Sequence, residues 1–166
     1  MRSGLKSCIG FFLLLWTGIV LPGACTCKGG GDMISEMREF DSFFSTHVDS
    51  VATAPRRMRT QVLQRMKAAK DSLVRYNYLS VALKTCLATS DIDSAQLLIR
   101  EIEDFTGRQP FSHRLADLQS ECLNMQGNIY SRKGYIDSAE VCFNKAYEWR
   151  LQGTKPETVP DILINL

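Results

Sequence analysis

The residues best suited to chemistry in this 166-residue chain are its six cysteines and two histidines. Thiolates and imidazoles bind zinc and act as nucleophiles or bases, but these uses require partners at set spacings. Cys25 and Cys27 are separated by one residue, whereas metal and thioredoxin-type sites use Cys-x-x-Cys pairs. His47 and His113 have no cysteine or histidine at metal-ligand spacing. The sequence therefore predicts no metal site and no cofactor.

Other catalytic patterns are also missing from the sequence. The chain has no Gly-x-Ser-x-Gly turn, no phosphate-binding loop and no His-Glu-x-x-His pair. Glu101, Glu103 and Asp104 form a carboxylate cluster, but helical geometry spreads such residues around the helix, which favours a solvated surface. We therefore expect a protein without catalytic residues that is not an enzyme.

Composition and charge restrict the class of partner. The chain is 45% hydrophobic and 23% charged, which is typical of one globular domain. Without its first 24 residues, which contain Arg2 and Lys6 and no acid, it has 18 residues of each charge sign, so we expect no nucleic-acid binding. One local run contains cations and no acid: Arg56, Arg57, Arg59, Arg65, Lys67 and Lys70. This run is either a binding patch, for anionic lipid headgroups or an acidic partner, or simply a solvated helix face.

Residues 1–24 have the parts of a secretory signal peptide. A positive start is followed by an uncharged apolar stretch over residues 8–21 and by small residues at Gly23 and Ala24. The stretch is shorter than the roughly 20 residues that a spanning helix needs. We expect export to the periplasm or cell envelope. The alternative is an N-terminal membrane anchor that is never cut.

The segment that follows resembles the lipidation box of bacterial lipoproteins. A leucine and small residues precede Cys25, which makes it a lipidation candidate, although Pro22 and the position of Leu21 depart from the usual form. Residues 25–31 are predicted to be a flexible tether, and residues 32–55 a lead-in helix and loop. Cys8 lies in the signal segment, whereas Cys86, Cys122 and Cys142 lie among apolar helix positions. We interpret them as core residues, with a Cys122–Cys142 disulfide left open.

From Asp32 onwards, apolar residues recur at three- and four-residue spacing, which predicts helices and no strands. The sequence Ile-Asp-Ser-Ala at positions 92–95 recurs 44 positions later at 136–139. Such a period is typical of a solenoid of helical hairpins. We expect the Asp-Ser pair to cap the second helix of each hairpin, and Ala95 and Ala139 to lie where two helices cross closely.

The second copy resembles the tetratricopeptide repeat (TPR). The glycines, aromatic residues and alanines fall at the family's spacing: Gly127, Tyr130, Gly134, Ala139, Phe143 and Ala146. In that family the first glycine lets helix A pack against helix B, and the second closes the turn between them. The first copy keeps Ala95 but has Leu83, Cys86 and Ser90 at the first-glycine, tyrosine and second-glycine positions.

The resemblance implies an all-α fold in which antiparallel helical hairpins stack as a TPR-like solenoid, incomplete at the C-terminus. Residues 56–166 would hold about two repeats, and residues 160–166 would start a third. A repeat array needs polar capping elements, whereas this sequence ends on Ile-Asn-Leu, so we expect it to be the N-terminal part of a longer protein. The alternative is a short protein whose last helix frays.

TPR modules bind extended peptides on their concave side, which helix A of each repeat lines. The family's inward positions fall, in this chain, on polar residues that are either ligand contacts or solvated positions: Asn77, Ser80, Lys84, Glu121, Asn124, Asn128, Ser131 and Arg132. Among them, Lys84 and Arg132 are suited to a ligand carboxylate, and the asparagines to a peptide backbone.

The arrangement is similar to that of exported TPR regulators of Gram-negative bacteria. The resemblance implies a non-catalytic protein-interaction and sensing region of an envelope signalling protein. The alternative is a stand-alone TPR-like outer-membrane lipoprotein for assembly or nutrient capture. The implied partners are a protein or peptide ligand and a membrane, reached through the signal segment, a lipid on Cys25 or a later transmembrane segment.

Overall fold

The computed structural model describes residues 29–158, and within this range the chain is all-α, as predicted. The helices are α1 (Gly29–His47), α2 (Ser50–Thr53), α3 (Pro55–Ala68), α4 (Ser72–Ala88), α5 (Ile92–Thr106), α6 (His113–Arg132) and α7 (Ile136–Leu151), followed by a 3-10 turn over Pro156–Thr158. The signal segment, Cys25 and the start of a third repeat at 160–166 lie outside the described residues.

Two boundaries in the lead-in differ from the sequence predictions. Residues 29–31 belong to α1 rather than to the tether, and Asp32 places a negative charge in the first turn, where the helix dipole favours it. The loop predicted at the end of residues 32–55 contains the one-turn helix α2, which is closed by a bond from Thr53 N to Asp49 O at 3.0 Å. Pro55 ends α2 because the residue before a proline, here Ala54, avoids helical geometry.

Side-chain caps start three of the helices. Asp71, Asp91 and Ser112 accept bonds from the backbone N–H three residues later, at 3.1, 3.2 and 3.1 Å. The prediction that the Asp-Ser pairs cap α5 and α7 is wrong. Those pairs lie inside the first turns, Asp91 caps α5, and α7 starts after Tyr135 without a side-chain cap.

The pairs α4/α5 and α6/α7 are helical hairpins whose turns have the same backbone hydrogen bonds. At the left-handed position stand Ser90 (φ 57°) in the first turn and Gly134 (φ 80°) in the second. Each helix end is closed by a bond five residues back, as in a Schellman motif. These bonds have the same length, 2.9 Å, and join Asp91 N to Cys86 O and Tyr135 N to Tyr130 O.

The core has two large clusters that share α4. One forms between α1, α3 and α4 and includes Phe40, Met58 and Tyr78; the other, between α4, α5 and α6, includes Leu83 and Ile102. A helix that packs on both sides is apolar around most of its circumference, and α4 is buried in this way. The lead-in helix α1 is therefore part of the core.

The residues that carry the TPR resemblance lie at close helix contacts. Ala95, Ala139 and Ala146 are buried. A Cβ placed on Gly127 would lie 2.5 Å from Cε1 of Phe143, so α6 and α7 approach too closely there for any side chain.

The three cysteines in the described range are buried free thiols. Their burial confirms the prediction that they are core residues. Burial raises the pKa of each thiol, most strongly for Cys122.

Candidate functional site

A charged cleft lies between α1, α4, α6 and α7. It has a volume of about 120 Å³. Its floor is apolar, with Val81 and Leu118 beside the rings of Phe40 and Phe44. The polar groups of its walls come from all four helices and from the segment after α7: Asp41, Asn77, Ser80, Lys84, Arg114, Asp117, Glu121, Arg150 and Lys155.

A chain of ion pairs forms one wall of this cleft. Lys84 Nζ lies 3.0 Å from Glu121 Oε1, and Arg150 Nη2 lies 3.6 Å from Glu121 Oε2. Arg150 Nη1 continues to Asp117 Oδ1 at 3.3 Å. Lys84 Nζ also lies 4.9 Å from the centroid of the Phe44 ring, within the range of a cation–π contact. These ion pairs therefore connect α4, α6 and α7 and fix the shape of the wall in the absence of a ligand.

Glu121 is the centre of this charge chain. Burial raises the pKa of its carboxyl, but Lys84 and Arg150 lower it by more, so that the pKa lies below its ordinary value. The carboxylate therefore stays ionised at neutral pH. With Glu121 ionised, three carboxylates face the four cations that line the cleft.

Arg150 contributes a donor that the fold does not use. Its Nε atom is the one buried side-chain nitrogen or oxygen without a hydrogen-bond partner in the described part of the chain. Its side chain is only 12% exposed. A buried donor without an acceptor costs about 1–3 kcal/mol.

A second ion pair brings the lead-in helix into the site. Arg114 Nη2 donates to Asp41 Oδ2 at 3.0 Å and joins α6 to α1. The two residues are 73 positions apart, and no local pattern in the sequence links them. The lead-in helix therefore forms one wall of the cleft, which sequence reasoning missed.

Asp117 also anchors the segment that leaves α7. Its carboxylate accepts bonds from Thr154 N, at 3.1 Å to each oxygen, and from the Thr154 hydroxyl. A Cβ on Gly153 would overlap the same carboxylate, so only glycine lets the chain pass this close. The chain turns back over α6 in this way and brings Lys155 to the cleft.

The structure brings together half of the eight residues that the resemblance marked as inward. Asn77, Ser80, Lys84 and Glu121 line the cleft. Arg132 is elsewhere and donates to Leu87 O at 2.8 Å, so it links the ends of α6 and α4. The other three are not among the residues that line the cleft: Asn124, Asn128 and Ser131.

The polar groups of α4 in the cleft are already engaged within their own helix. Asn77 Nδ2 donates to Leu73 O at 2.8 Å, and Ser80 Oγ donates to Asn77 O at 2.9 Å. The asparagine keeps its side-chain oxygen as an acceptor for a ligand. The serine hydroxyl has a backbone partner rather than a base, so nothing here activates it as a nucleophile.

Arg150 was missed although its position carried a signal. It lies four residues after the buried Ala146 and eleven after Ala139, on the face of α7 that packs against α6. A charge on such a face must find a partner, since an unpaired buried charge is costly. Its spacing therefore indicated an ion pair with α6, but not which residue would supply it.

The histidines and the carboxylate cluster lie away from this cleft. His47 Nδ1 is 2.9 Å from Phe43 O, and His113 Nδ1 is 2.7 Å from Gln152 O. Burial, and then the charge of Asp104, raises the pKa of Glu103. Over residues 29–158, no group of three or more His, Cys, Asp or Glu side chains is placed to hold a metal ion.

Comparison with known proteins gives no further assignment. No family model, no curated protein and no solved structure matches this chain. None of the helices in residues 29–158 is long and apolar enough to cross a membrane. The function of the protein therefore has to be inferred from the cleft and from the packing of its helices.

Proposed function

We propose that this chain is a non-catalytic, TPR-like protein-interaction and sensing region of an exported or envelope-anchored bacterial signalling protein. Its ligand is a protein or peptide that binds in the cleft between α1, α4, α6 and α7. The observation that carries the proposal is that four inward residues inferred from the resemblance, from both copies of the repeat, line one cleft.

The repeat itself is supported by backbone geometry. The turns at Ser90 and Gly134 have matching hydrogen bonds and matching positive φ values, 44 positions apart. Ala95 and Ala139 are buried at equivalent positions, and Leu97 and Val141 are exposed at equivalent positions. Two hairpins with the same turn and the same inward and outward residues favour a stacked arrangement.

The size and lining of the cleft favour a side chain of a larger ligand. Sites for whole small molecules usually measure about 300–1,000 Å³. The cleft has about 120 Å³, which suits one apolar side chain over the floor near Phe44. The acceptor oxygen of Asn77 is then available for the polar backbone of a peptide.

A peptide-library selection on the purified full chain tests this proposal. Selected peptides are measured by calorimetry against the wild type, Lys84→Met and Lys133→Met. Lys84→Met removes the charge of the cleft wall but keeps the alkyl chain. Lys133 is exposed at the end of α6, so its variant is a control with the same change of charge.

We expect selected peptides to bind the wild type and Lys133→Met equally, and Lys84→Met at least about tenfold more weakly, because loss of the ion pair to Glu121 removes the preorganised shape of the cleft wall. Failure to enrich any peptide, or equal binding by all three proteins, would contradict a ligand site in the cleft. Melting temperatures of the three proteins show whether Lys84→Met is folded, and Phe44→Ala gives a second test at the floor.

A further inference from the structure

The outer face of α3 is a second charged feature, distinct from the cleft. Residues 55–68 contain five cations and no acidic residue, and Lys70 follows shortly after. The structure divides the five cations of α3 itself into two groups. Arg59 and Arg65 point into the fold, whereas Arg56, Arg57 and Lys67 are on the outside.

The two inward arginines have structural partners. Arg59 Nη1 lies 3.1 Å from Asp91 Oδ2, and Arg59 Nη2 contacts Cys86 Sγ at 2.6 Å, so it fastens α3 to the turn between α4 and α5. Arg65 Nη1 lies 3.0 Å from Glu39 Oε1, and its guanidinium lies 4.3 Å from the centre of the Phe43 ring. These two residues are explained by the packing of α3 against α1 and α4.

The outer cations have no such partner within the described residues. The side chains of Arg56, Arg57 and Lys67 make no ion pair and no hydrogen bond there. At about 100° per residue they fall on one arc of roughly 100°, together with Thr60 and Gln64, over about 16 Å of helix. This arc is a flat, cationic face without a large exposed apolar residue.

Folding does not explain this face. In the cleft, by contrast, Lys84, Arg114 and Arg150 each have an acidic partner. Arg56 and Arg57 are adjacent and lie in the first turn of α3, where the helix dipole disfavours positive charge. A cationic face with no acid among its residues is therefore electrostatically unfavourable in isolation, and an external anionic surface would reverse that.

We infer that the outer face of α3 is a docking surface for anionic lipid headgroups. The inference uses the envelope location that the proposed function includes, but it does not depend on the cleft. A protein partner would need buried aromatic or other large anchors at the centre of its interface, and this face has none. A lipid surface needs no such anchor, because its headgroups move laterally to meet each cation. Near such a surface each Lys or Arg strengthens binding about fivefold.

Vesicle binding by the full chain tests this inference. Flotation is measured with phosphatidylcholine vesicles and with vesicles in which half the lipid is phosphatidylglycerol, at roughly 0.05 M and 0.5 M salt. The apolar signal segment is expected to bind both vesicle types equally. The readout is therefore the excess binding to anionic vesicles over phosphatidylcholine vesicles. The test variant is Arg56→Gln/Arg57→Gln/Lys67→Gln. The control is Arg100→Gln/Lys133→Gln/Lys145→Gln, which removes the same charge from exposed positions elsewhere.

We expect the wild type and the control to bind anionic vesicles in excess at low salt and to lose that excess at high salt. The excess binding of the α3 variant to anionic vesicles should be roughly a hundredfold weaker, because each of the three cations contributes about fivefold. Equal loss in both triple variants, or no anionic excess in the wild type, would overturn the inference.

Polyglutamate distinguishes lipid from an acidic protein. If polyglutamate binds the α3 face more tightly than anionic vesicles do at the same charge concentration, the lipid assignment is wrong.

The peptide selection is run on the same α3 variant. A chain that binds peptides but not vesicles refutes only the lipid surface, and one that binds vesicles but no peptide refutes only the cleft.

Discussion

Lys84 Nζ lies 3.0 Å from Glu121 Oε1 and thereby joins the first hairpin to the second across one wall of the cleft. The resemblance places both residues at inward positions, as ligand contacts or solvated groups, and makes Lys84 suited to a ligand carboxylate. In the structure they meet each other instead. The cleft is therefore preorganised, and a ligand gains its affinity from the apolar floor and the free polar atoms rather than from an isolated lysine.

The first prediction concerns acid stability. The pKa of Glu121 is lowered in the folded state, so its ion pairs contribute stability above about pH 4.3, and this contribution disappears as pH falls through the folded-state pKa. Glu121→Gln should be about 1–3 kcal/mol less stable than the wild type at neutral pH, because two partly buried cations lose their partner. The deficit should shrink on acidification. Urea unfolding followed by circular dichroism across this pH range measures both effects.

Glu140→Gln is the matched control for Glu121→Gln, since Glu140 is exposed on α7. Its stability should stay within about 0.5 kcal/mol of the wild type at neutral pH. A deficit for Glu121→Gln that does not change with pH would show that the ionised carboxylate is not what stabilises the wall.

The second prediction concerns the closest contact between α6 and α7. Gly127→Ala places a methyl group 2.5 Å from Cε1 of Phe143, and overpacking of this kind costs about 1–3 kcal/mol. This loss exceeds the gain of roughly 1 kcal/mol in helix propensity. Thermal unfolding should show a lower melting temperature for Gly127→Ala. Adding Phe143→Leu should recover part of the loss, and strict additivity of the two changes would contradict the contact.

The third prediction uses the equivalence of the two turns. Ser90 adopts φ 57°, a left-handed conformation that costs an L-residue roughly 1–2 kcal/mol, whereas Gly134 adopts φ 80° without that cost. Ser90→Gly should therefore stabilise the fold by about 0.5–1 kcal/mol, after subtraction of the unfolded-state entropy of glycine. Gly134→Ser should destabilise it by a similar amount. Chemical denaturation of both variants gives the two values, and changes of the same sign would refute the equivalence.

The fourth prediction concerns the buried thiols. Burial raises the pKa of Cys86, Cys122 and Cys142, so little thiolate is present at mildly alkaline pH, and access is also restricted. Iodoacetamide followed by peptide mapping should leave all three unlabelled in the folded chain and label all three in urea. Failure of Cys122 and Cys142 to react in urea without reductant would instead indicate a disulfide between them.

The candidate site could be predicted in part, because the repeat indicates which helix positions face inward. A period of 44 residues and the TPR-like spacing identified inward positions, and four of them line the cleft. The pairs that shape the site could not be predicted, because Asp41 and Arg114 are 73 positions apart and belong to different parts of the chain. The same holds for Arg132, whose partner is the backbone at Leu87.

The cations of α3 show the same division between local pattern and tertiary contact. The sequence identified the run of cations and the helix that carries it, but treated all six alike. Which of them are used by the fold depends on what lies opposite each one. Arg59 meets Asp91 and Arg65 meets Glu39, while Arg56 makes no ion pair with any residue in the range 29–158.

The sequence by itself determined the helices and the turns between them, because apolar periodicity, caps such as Asp71 and turn residues such as Gly134 act over a few neighbouring positions. Only the tertiary structure decided that α1 forms a wall of the cleft, that Lys84 is bound to Glu121, and that the outer face of α3 stays unpaired. These outcomes depend on distances between side chains on different helices. Such distances follow from how the buried faces pack, and no local pattern in the chain encodes them.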